Sequence, residues 1–377
     1  MKITNVETHV MWADWCNWLF VRVDTDEGLY GWGEGSLHGS IKAVETAIHE
    51  LGAYLIGRDP AGVERHWQGM YHAWRWRGGA ILMTALAALD IALWDLEGKR
   101  LGVPVYRLLG GPYRDRVRAY ASHWLQGVED ADAAAEGARE ARRRGFNAFK
   151  FSAIDRALLH ENESAALSRA ERLMAGARAG AGDDCDIMVE LAELLSPRTV
   201  LQLAERLAPY RPYWFEEPIP FENAQAMATL QRDLRVPIAT GERLLSRWEF
   251  RELLERQGCR IVQPDLMHAG GISEVKRIAA LADTHYVAVA PHNSGGPIVT
   301  LAAIHLSVSI PNLLILEQME KEQALRAAVC DTPPLIENGH FLLPDRPGLG
   351  ADINVEALRA HPYRGQPVRG DTESLWR

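Results

Sequence analysis

From about residue 118 onward, short apolar runs alternate with longer stretches of helical spacing. The runs are "RAYAS" (118–122), "AFKFS" (148–152), "DIMVE" (186–190), "YWFEE" (213–217), "PIATGE" (237–242), "RIVQPD" (260–265), "YVAVAPH" (286–292) and "LLILEQ" (313–318). Their apolar, β-branched and aromatic residues predict strands. Segments such as "SPRTVLQLAERLAPY" and "GISEVKRIAALADTH" predict the helices between them. Strands alternating with helices pair in parallel through right-handed crossovers. Eight of them, about 23 to 38 residues apart, fit a closed β/α barrel over residues 116–320 better than an open sheet. Seven helices separate the eight strands, and the chain after the last strand reads as irregular.

Residues 1–115 follow another pattern. "LFVRVDTDEGLYGWGEGS" alternates on either side of "DEG", a hairpin signal, and helical stretches follow around 40–56, 60–76 and 80–98. This predicts an α+β capping domain. The segment 321–377, with "HFLLPDRPGLG", carries strand and turn signals and is expected to pack back on that cap.

Composition narrows the function classes. The 377 residues are 47% apolar and 24% charged, typical of a globular protein long enough for two domains. A net charge of −9 without a basic stripe argues against a nucleic-acid partner. The densest basic run, "REARRRG" (139–145), follows "EDADAAAEGA" and reads as one face of a solvated helix. The most apolar stretch, "ILMTALAALDIALWDL", contains Asp90 and Asp95 and predicts a buried helix rather than a membrane span. "MKITNVETHV" lacks the apolar core of a signal peptide. Cysteines 16, 185, 259 and 330 form no CxxC pair, which suits a reducing cytoplasm.

In a β/α barrel the chemistry lies where the strands end. Strand two holds Lys150; strands three to eight end in Glu190, Glu216-Glu217, Glu242, Asp265, His292 and Glu317. Glu190, Glu216 and Glu242 are spaced 26 residues apart, one β/α unit each, which puts three carboxylates on adjacent strands at one end. Such anions repel unless a cation sits among them, and an oxygen-only set selects a hard ion such as Mg²⁺. Glu217, next to an inward residue, points the other way. Asp265 and His292 end neighbouring strands, so the acid can hold Nδ1 and leave Nε2 as a base.

This constellation resembles the enolase superfamily, in its mandelate racemase-like branch and nearest its D-galactonate dehydratases. The motifs that carry the likeness are "FEEP" (215–218), "TGERLLSRWEF" (240–250), "IVQPDLMHAGGISEVKRIA" (261–279), "APHNSGGPI" (290–298) and "EQM" (317–319). It extends from "DEGLYGWGE" through "YLIGRDP" and "ALWDLEGK" to "PGLG". The resemblance implies a modified (β/α)₇β barrel under an α+β cap. It also implies Mg²⁺ ligands at Glu190, Glu216 and Glu242, a base at His292 supported by Asp265, and an acid at Glu317 that contacts the substrate carboxylate. The implied reaction takes the proton α to a carboxylate and loses a β-hydroxyl, giving a 2-keto-3-deoxy acid. The implied partner is a small sugar acid, and relatives suggest a homo-oligomer.

The chain departs from the family pattern at three places. Glu190 stands where Asp is usual, one methylene longer. Ala192 stands where galactonate dehydratases carry a histidine that protonates the leaving hydroxyl; Glu193, His123 or protonated His292 are the replacements. Ser152 stands where many relatives carry a second lysine, leaving Lys150 alone, and a single base tilts the chemistry toward elimination. A racemase, epimerase or cycloisomerase using Lys150 as second acid/base is the enzymatic rival, and a binding protein with weakened catalysis is the rival from another class. The cap loops "WADWCNW" (12–18) and "YHAWRWRGG" (71–79) are expected either to set specificity or to pack as ordinary core.

Overall fold

The structure, a computed structural model, describes residues 1–366; residues 367–377 of the expected C-terminal segment lie outside the described residues. The chain opens with strands β1 (Ile3–Ala13), β2 (Cys16–Thr25) and β3 (Tyr30–Glu34), an antiparallel sheet in that order. Three helices follow, α1 (Ile41–Gly52), α2 (Val63–Tyr71) and α3 (Ala80–Leu101). Leu19, Val21 and Val23 of the sheet meet Ile48, Trp67 and Leu89 of the helices in one apolar core. The helix α2 stops at Tyr71, short of residue 76, and the turn beyond it contains Gly78 and Gly79, both left-handed at φ 83° and 78°. The helix α3 runs past residue 98 and ends at Gly102 (φ 69°), a left-handed cap.

The barrel is built from β4 (Arg116–Ser122), β5 (Ala148–Ser152), β6 (Asp186–Glu190), β7 (Phe215–Glu216), β8 (Ile238–Thr240), β9 (Ile261–Val262), β10 (Ala288–Val289) and β11 (Leu316–Met319). Neighbours pair in parallel from β4 to β10, and β11 returns to β4. The ring closes where Leu314 N–H donates to Val289 O (2.8 Å) and Val289 N–H to Asn312 O (2.9 Å). This is a modified (β/α)₇β barrel under an α+β cap. The ladders of β7 to β10 are shorter than the apolar runs in the sequence. The chain leaves the sheet after each, as at Glu217 (φ 45°) and Gly241 (φ 128°). Tyr120, Met188, Trp214, Ile261 and Ile315 fill the barrel, with Ala148, Ala239 and Ala290 making room for them.

After β11 the chain is less irregular than its sequence suggests. A helix, Gln323–Val329, precedes a hairpin of Ile336–Glu337 and His340–Leu342, which pairs antiparallel with β4. The "HFLLP" stretch therefore extends the barrel sheet, because Phe341 buries its ring in the barrel's outer core. Beyond it the chain crosses to the cap. Trp12 N–H donates to His361 O (2.8 Å), Asn17 exchanges side-chain bonds with the backbone of Arg364 (2.8 and 3.0 Å), and Gln366 Nε2 donates to Trp15 O (3.0 Å). Cap and barrel also meet at Asp90, fully buried in α3, which accepts from Ser273 N–H (3.0 Å) and Oγ (2.5 Å) at the start of the helix Gly271–Thr284. Among the described residues no helix is long and apolar enough to cross a membrane, and the four cysteines are buried and unpaired.

Candidate active site

The three evenly spaced glutamates meet at the mouth of the barrel. One carboxylate oxygen from each of Glu190, Glu216 and Glu242 lies within 4.8 Å of the others. Parallel register explains the convergence: Glu190 at the end of β6 pairs with Glu216 of β7, and Glu242 follows β8 by a single step around Gly241. Glu216 is further fixed by Trp214 Nε1–H (2.9 Å) and Glu190 by the N–H of Ala192 (2.8 Å). Glu217 turns away from the cluster. Its carboxylate accepts from Thr240 Oγ1 (2.5 Å), Gly241 N–H (3.2 Å) and Arg243 Nε (2.9 Å).

Lys150 reaches the cluster from β5. Its ammonium contacts Glu216 and lies 3.3 Å from Glu190 and 3.1 Å from Glu317. Glu317 also accepts from Ser122 Oγ (2.5 Å) and Asn293 N–H (2.8 Å). His292 places Nδ1 2.6 Å from Asp265 Oδ2, while Nε2 faces Glu242 at 3.5 Å and Glu317 at 3.8 Å. Asp265 is oriented in turn by Met267 N–H (2.7 Å).

Burial and like charge compete throughout this site. Burial, and then Glu216 beside it, push the Glu190 carboxyl well above the ordinary carboxylate range. Burial pushes Glu242 up to about 7, against the pull of His292. Burial opposes charge on Lys150, yet Glu216 and Glu317 outweigh it and hold the ammonium well above its ordinary range. His292 behaves alike: burial opposes its charge, and Glu242, Glu317 and Asp265 prevail. Glu317 stays below its usual value despite burial, chiefly through Lys150 and His292. Five carboxylates thus share one lysine and one histidine, with the Arg243 guanidinium only as near as 3.8 Å to Glu242. A site so short of positive charge, with only oxygen donors in its triad, fits a hard divalent cation.

A cavity of about 650 Å³ opens above the cluster. Lys150, Glu190, Glu242 and His292 line its floor, and Trp15, Leu37 and His38 reach it from the cap. Of the two cap loops singled out in the sequence, 12–18 supplies Trp15, while Trp18 is buried elsewhere. The 71–79 loop is not part of the wall; Tyr71 stacks on Trp67 and Trp248 (5.1 and 5.2 Å between ring centres).

Around Ala192, which lines the cavity, the possible replacement acids separate. His123 also lines it, with Nδ1 3.0 Å from Ser122 Oγ, and burial and then Lys150 lower its pKa. Glu193 does not, because its carboxylate is engaged by Phe221 N–H (3.1 Å) and Arg243 Nε (3.3 Å). Among the wall residues that sequence reasoning missed are Arg243 and His268. Each follows a recognised acid closely, in "GER" and "DLMH", and that adjacency was the available signal. His268 Nδ1 meets Thr84 Oγ1 of the cap at 2.9 Å.

Known proteins resemble this chain over nearly its whole length. Residues 7–110 match the family model for the mandelate racemase / muconate lactonizing enzyme N-terminal domain, and residues 133–358 match the enolase C-terminal domain-like family. A D-galactonate dehydratase of Ralstonia pickettii (strain 12J) is 41% identical over 98% of this chain and 97% of its own length. Another of that name, from Pectobacterium atrosepticum, is 38% identical over 95% and 94%. Among solved structures, a candidate galactarate dehydratase from Agrobacterium radiobacter, with sodium and L-malate bound, superposes with a TM-score of 0.89. It is 34% identical and covers 98% of each chain. The chain belongs to the enolase superfamily, in its mandelate racemase / muconate lactonizing enzyme branch.

Proposed function

We propose that this protein is a Mg²⁺-dependent hydro-lyase that dehydrates a sugar acid, removing the proton α to the carboxylate and the β-hydroxyl to leave a 2-keto-3-deoxy acid. The observation that carries the reading is the Asp265–His292 pair facing a carboxylate triad across one cavity. Held by Glu190, Glu216 and Glu242, Mg²⁺ would supply Lewis-acid stabilisation of the charge that develops on the substrate carboxylate. With Nδ1 engaged by Asp265, His292 takes the substrate proton at Nε2, and Asp265 stabilises the imidazolium that results. Glu317, 3.8 Å from His292 Nε2, is the acid assigned to the substrate carboxylate. Lys150, bonded to three acids, balances their charge and is poorly placed to act as a free base. Ser152 offers no second lysine, so one face carries the base, which suits elimination. The dehydratase names of the relatives agree with this assignment.

The test is incubation with Mg²⁺ in heavy water across a panel of acid sugars. Formation of 2-keto-3-deoxy product, with deuterium at C2 of recovered substrate wherever the proton returns, is expected for at least one. Inversion at C2 without water loss would replace this reading with the racemase one, with Lys150 as the second base.

A further inference from the structure

Glu34 ends β3 in the cap, yet its carboxylate is fully buried against the barrel. It accepts from the backbone N–H groups of Gly296 and Val299 (3.1 Å for Val299), and from Ser36 Oγ (2.9 Å). These amides open the helix Pro297–Ser309, whose positive end favours a negative group. That helix starts directly after "HNSGG", the turn that carries His292. The approach depends on glycine: a Cβ at Gly296 would lie 2.8 Å from Glu34 Oε1, and one at Gly295 would lie 3.1 Å from it.

The same turn is gripped from its other side. Arg326, buried in the helix after β11, donates to Gly295 O and to Thr300 Oγ1 (2.9 Å), with its guanidinium over the Trp18 ring of the cap (5.4 Å). Thr300 shares bonds with the Asn293 side chain (3.2 and 3.3 Å), and Asn293 Nδ2 reaches Glu317 O (3.1 Å). Residues 293, 295 and 296 are therefore fixed, and the imidazole of residue 292 projects from a clamped turn.

We propose that Glu34 is a positioning residue for His292: the cap's carboxylate holds the turn so that Nδ1 meets Asp265 while Nε2 faces the cavity. The inference rests on the role given to His292 above. A purely structural Glu34 would affect stability alone. Asp95 is the control, a second buried cap acid that accepts from Trp32 N–H (2.8 Å) and Leu349 N–H (2.7 Å).

Glu34→Gln, Glu34→Asp and Asp95→Asn are to be compared as full chains with Mg²⁺. Proton NMR follows the hydrogen-bonded His292 Nδ1 proton, identified by its absence in His292→Asn. Mass spectrometry follows amide exchange across 293–299, and kinetics separate kcat from KM. In Glu34→Gln the Nδ1 signal should broaden or vanish and amide exchange across the turn should quicken. There kcat should fall by about 10²-fold with little change in KM, as expected for a misplaced base. Glu34→Asp should restore part of each effect, and Asp95→Asn should show none. If Glu34→Gln does not fold, Arg326→Lys, which loses the planar grip on Gly295, should give the same signature. An unchanged Nδ1 signal and turn exchange in the altered clamp, or equal changes in Asp95→Asn, would overturn the proposal. Absence of any 2-keto-3-deoxy product from the unaltered protein across the acid-sugar panel would instead remove the dehydratase reading, while the NMR and amide measurements still decide the role of Glu34.

Discussion

Asp265 Oδ2 lies 2.6 Å from His292 Nδ1, bridging the loops that leave two adjacent parallel strands. The bond assigns the base to Nε2 and makes the two residues one unit. His292→Asn should therefore abolish C2 proton exchange. Asp265→Asn should lower it strongly by releasing the tautomer. Lys150→Met should cost less if one face does the chemistry. Exchange surviving in His292→Asn, followed by NMR in heavy water, would move the base to Lys150.

The metal prediction follows from the triad. Glu216→Gln or Glu242→Gln should remove Mg²⁺ binding and activity while circular dichroism shows the fold intact. Glu190→Asp, one methylene shorter, should keep the ion. Because a ligand held only by the folded state stabilises it, Mg²⁺ at about 100 times its Kd should add ~2.7 kcal/mol, and chelation should remove it. Calorimetry showing unchanged Mg²⁺ affinity in Glu216→Gln would sink the ligand assignment.

Much of this site was legible in the sequence because a β/α barrel turns spacing into position. One unit per strand was enough to bring Glu190, Glu216 and Glu242 together, and to set Asp265 beside His292. What spacing cannot show is where a side chain goes once the chain leaves the sheet. Glu193 and His123 were equal candidates on paper, yet left-handed turns send one toward Arg243 and leave the other on the cavity wall. The cap was read least well. Of its 71–79 aromatics, Tyr71 stacks on Trp67 and Trp248 while Trp76 stays exposed, a division set by tertiary packing that no local pattern encodes.

The missing proton donor gives a third prediction. A positioned acid is typically worth about 10² to 10⁴ in rate. His123 borders the same cavity as Ala192, so His123→Asn should collapse water loss while C2 exchange continues. Glu193→Gln should leave turnover nearly intact. If both variants keep turnover, His292 returns its own proton in a syn elimination. Ala192→His should raise activity on D-galactonate wherever the pocket admits that sugar.

Asp90 makes stability depend on pH. Burial pushes its carboxyl up to about 7 from 3.8. The folded state therefore binds this proton more tightly than the unfolded chain does. Its contribution is complete below the unfolded value and is lost as pH rises through about 7. Relative to Asp90→Asn, the unaltered protein should lose up to ~3 kcal/mol between about pH 5 and 8, at 1.36 kcal/mol per unit. Urea unfolding at both pH values measures this, and parallel curves for the two proteins would refute it.

The bonds from residues 361–366 to the cap's first hairpin make the end of the described chain a leash on Trp15. Trp12, Trp15 and Asn17 are each tied to this segment through backbone or side-chain bonds. The wall that greets an incoming substrate is thus tensioned by residues that never touch it. Slackening the leash would let the Trp15 loop swing and change which sugars enter. The acids and the histidine at the barrel mouth would stay where they are. The hold on Trp15 thus comes from the far end of the described chain, while the acids and the histidine are held by the barrel.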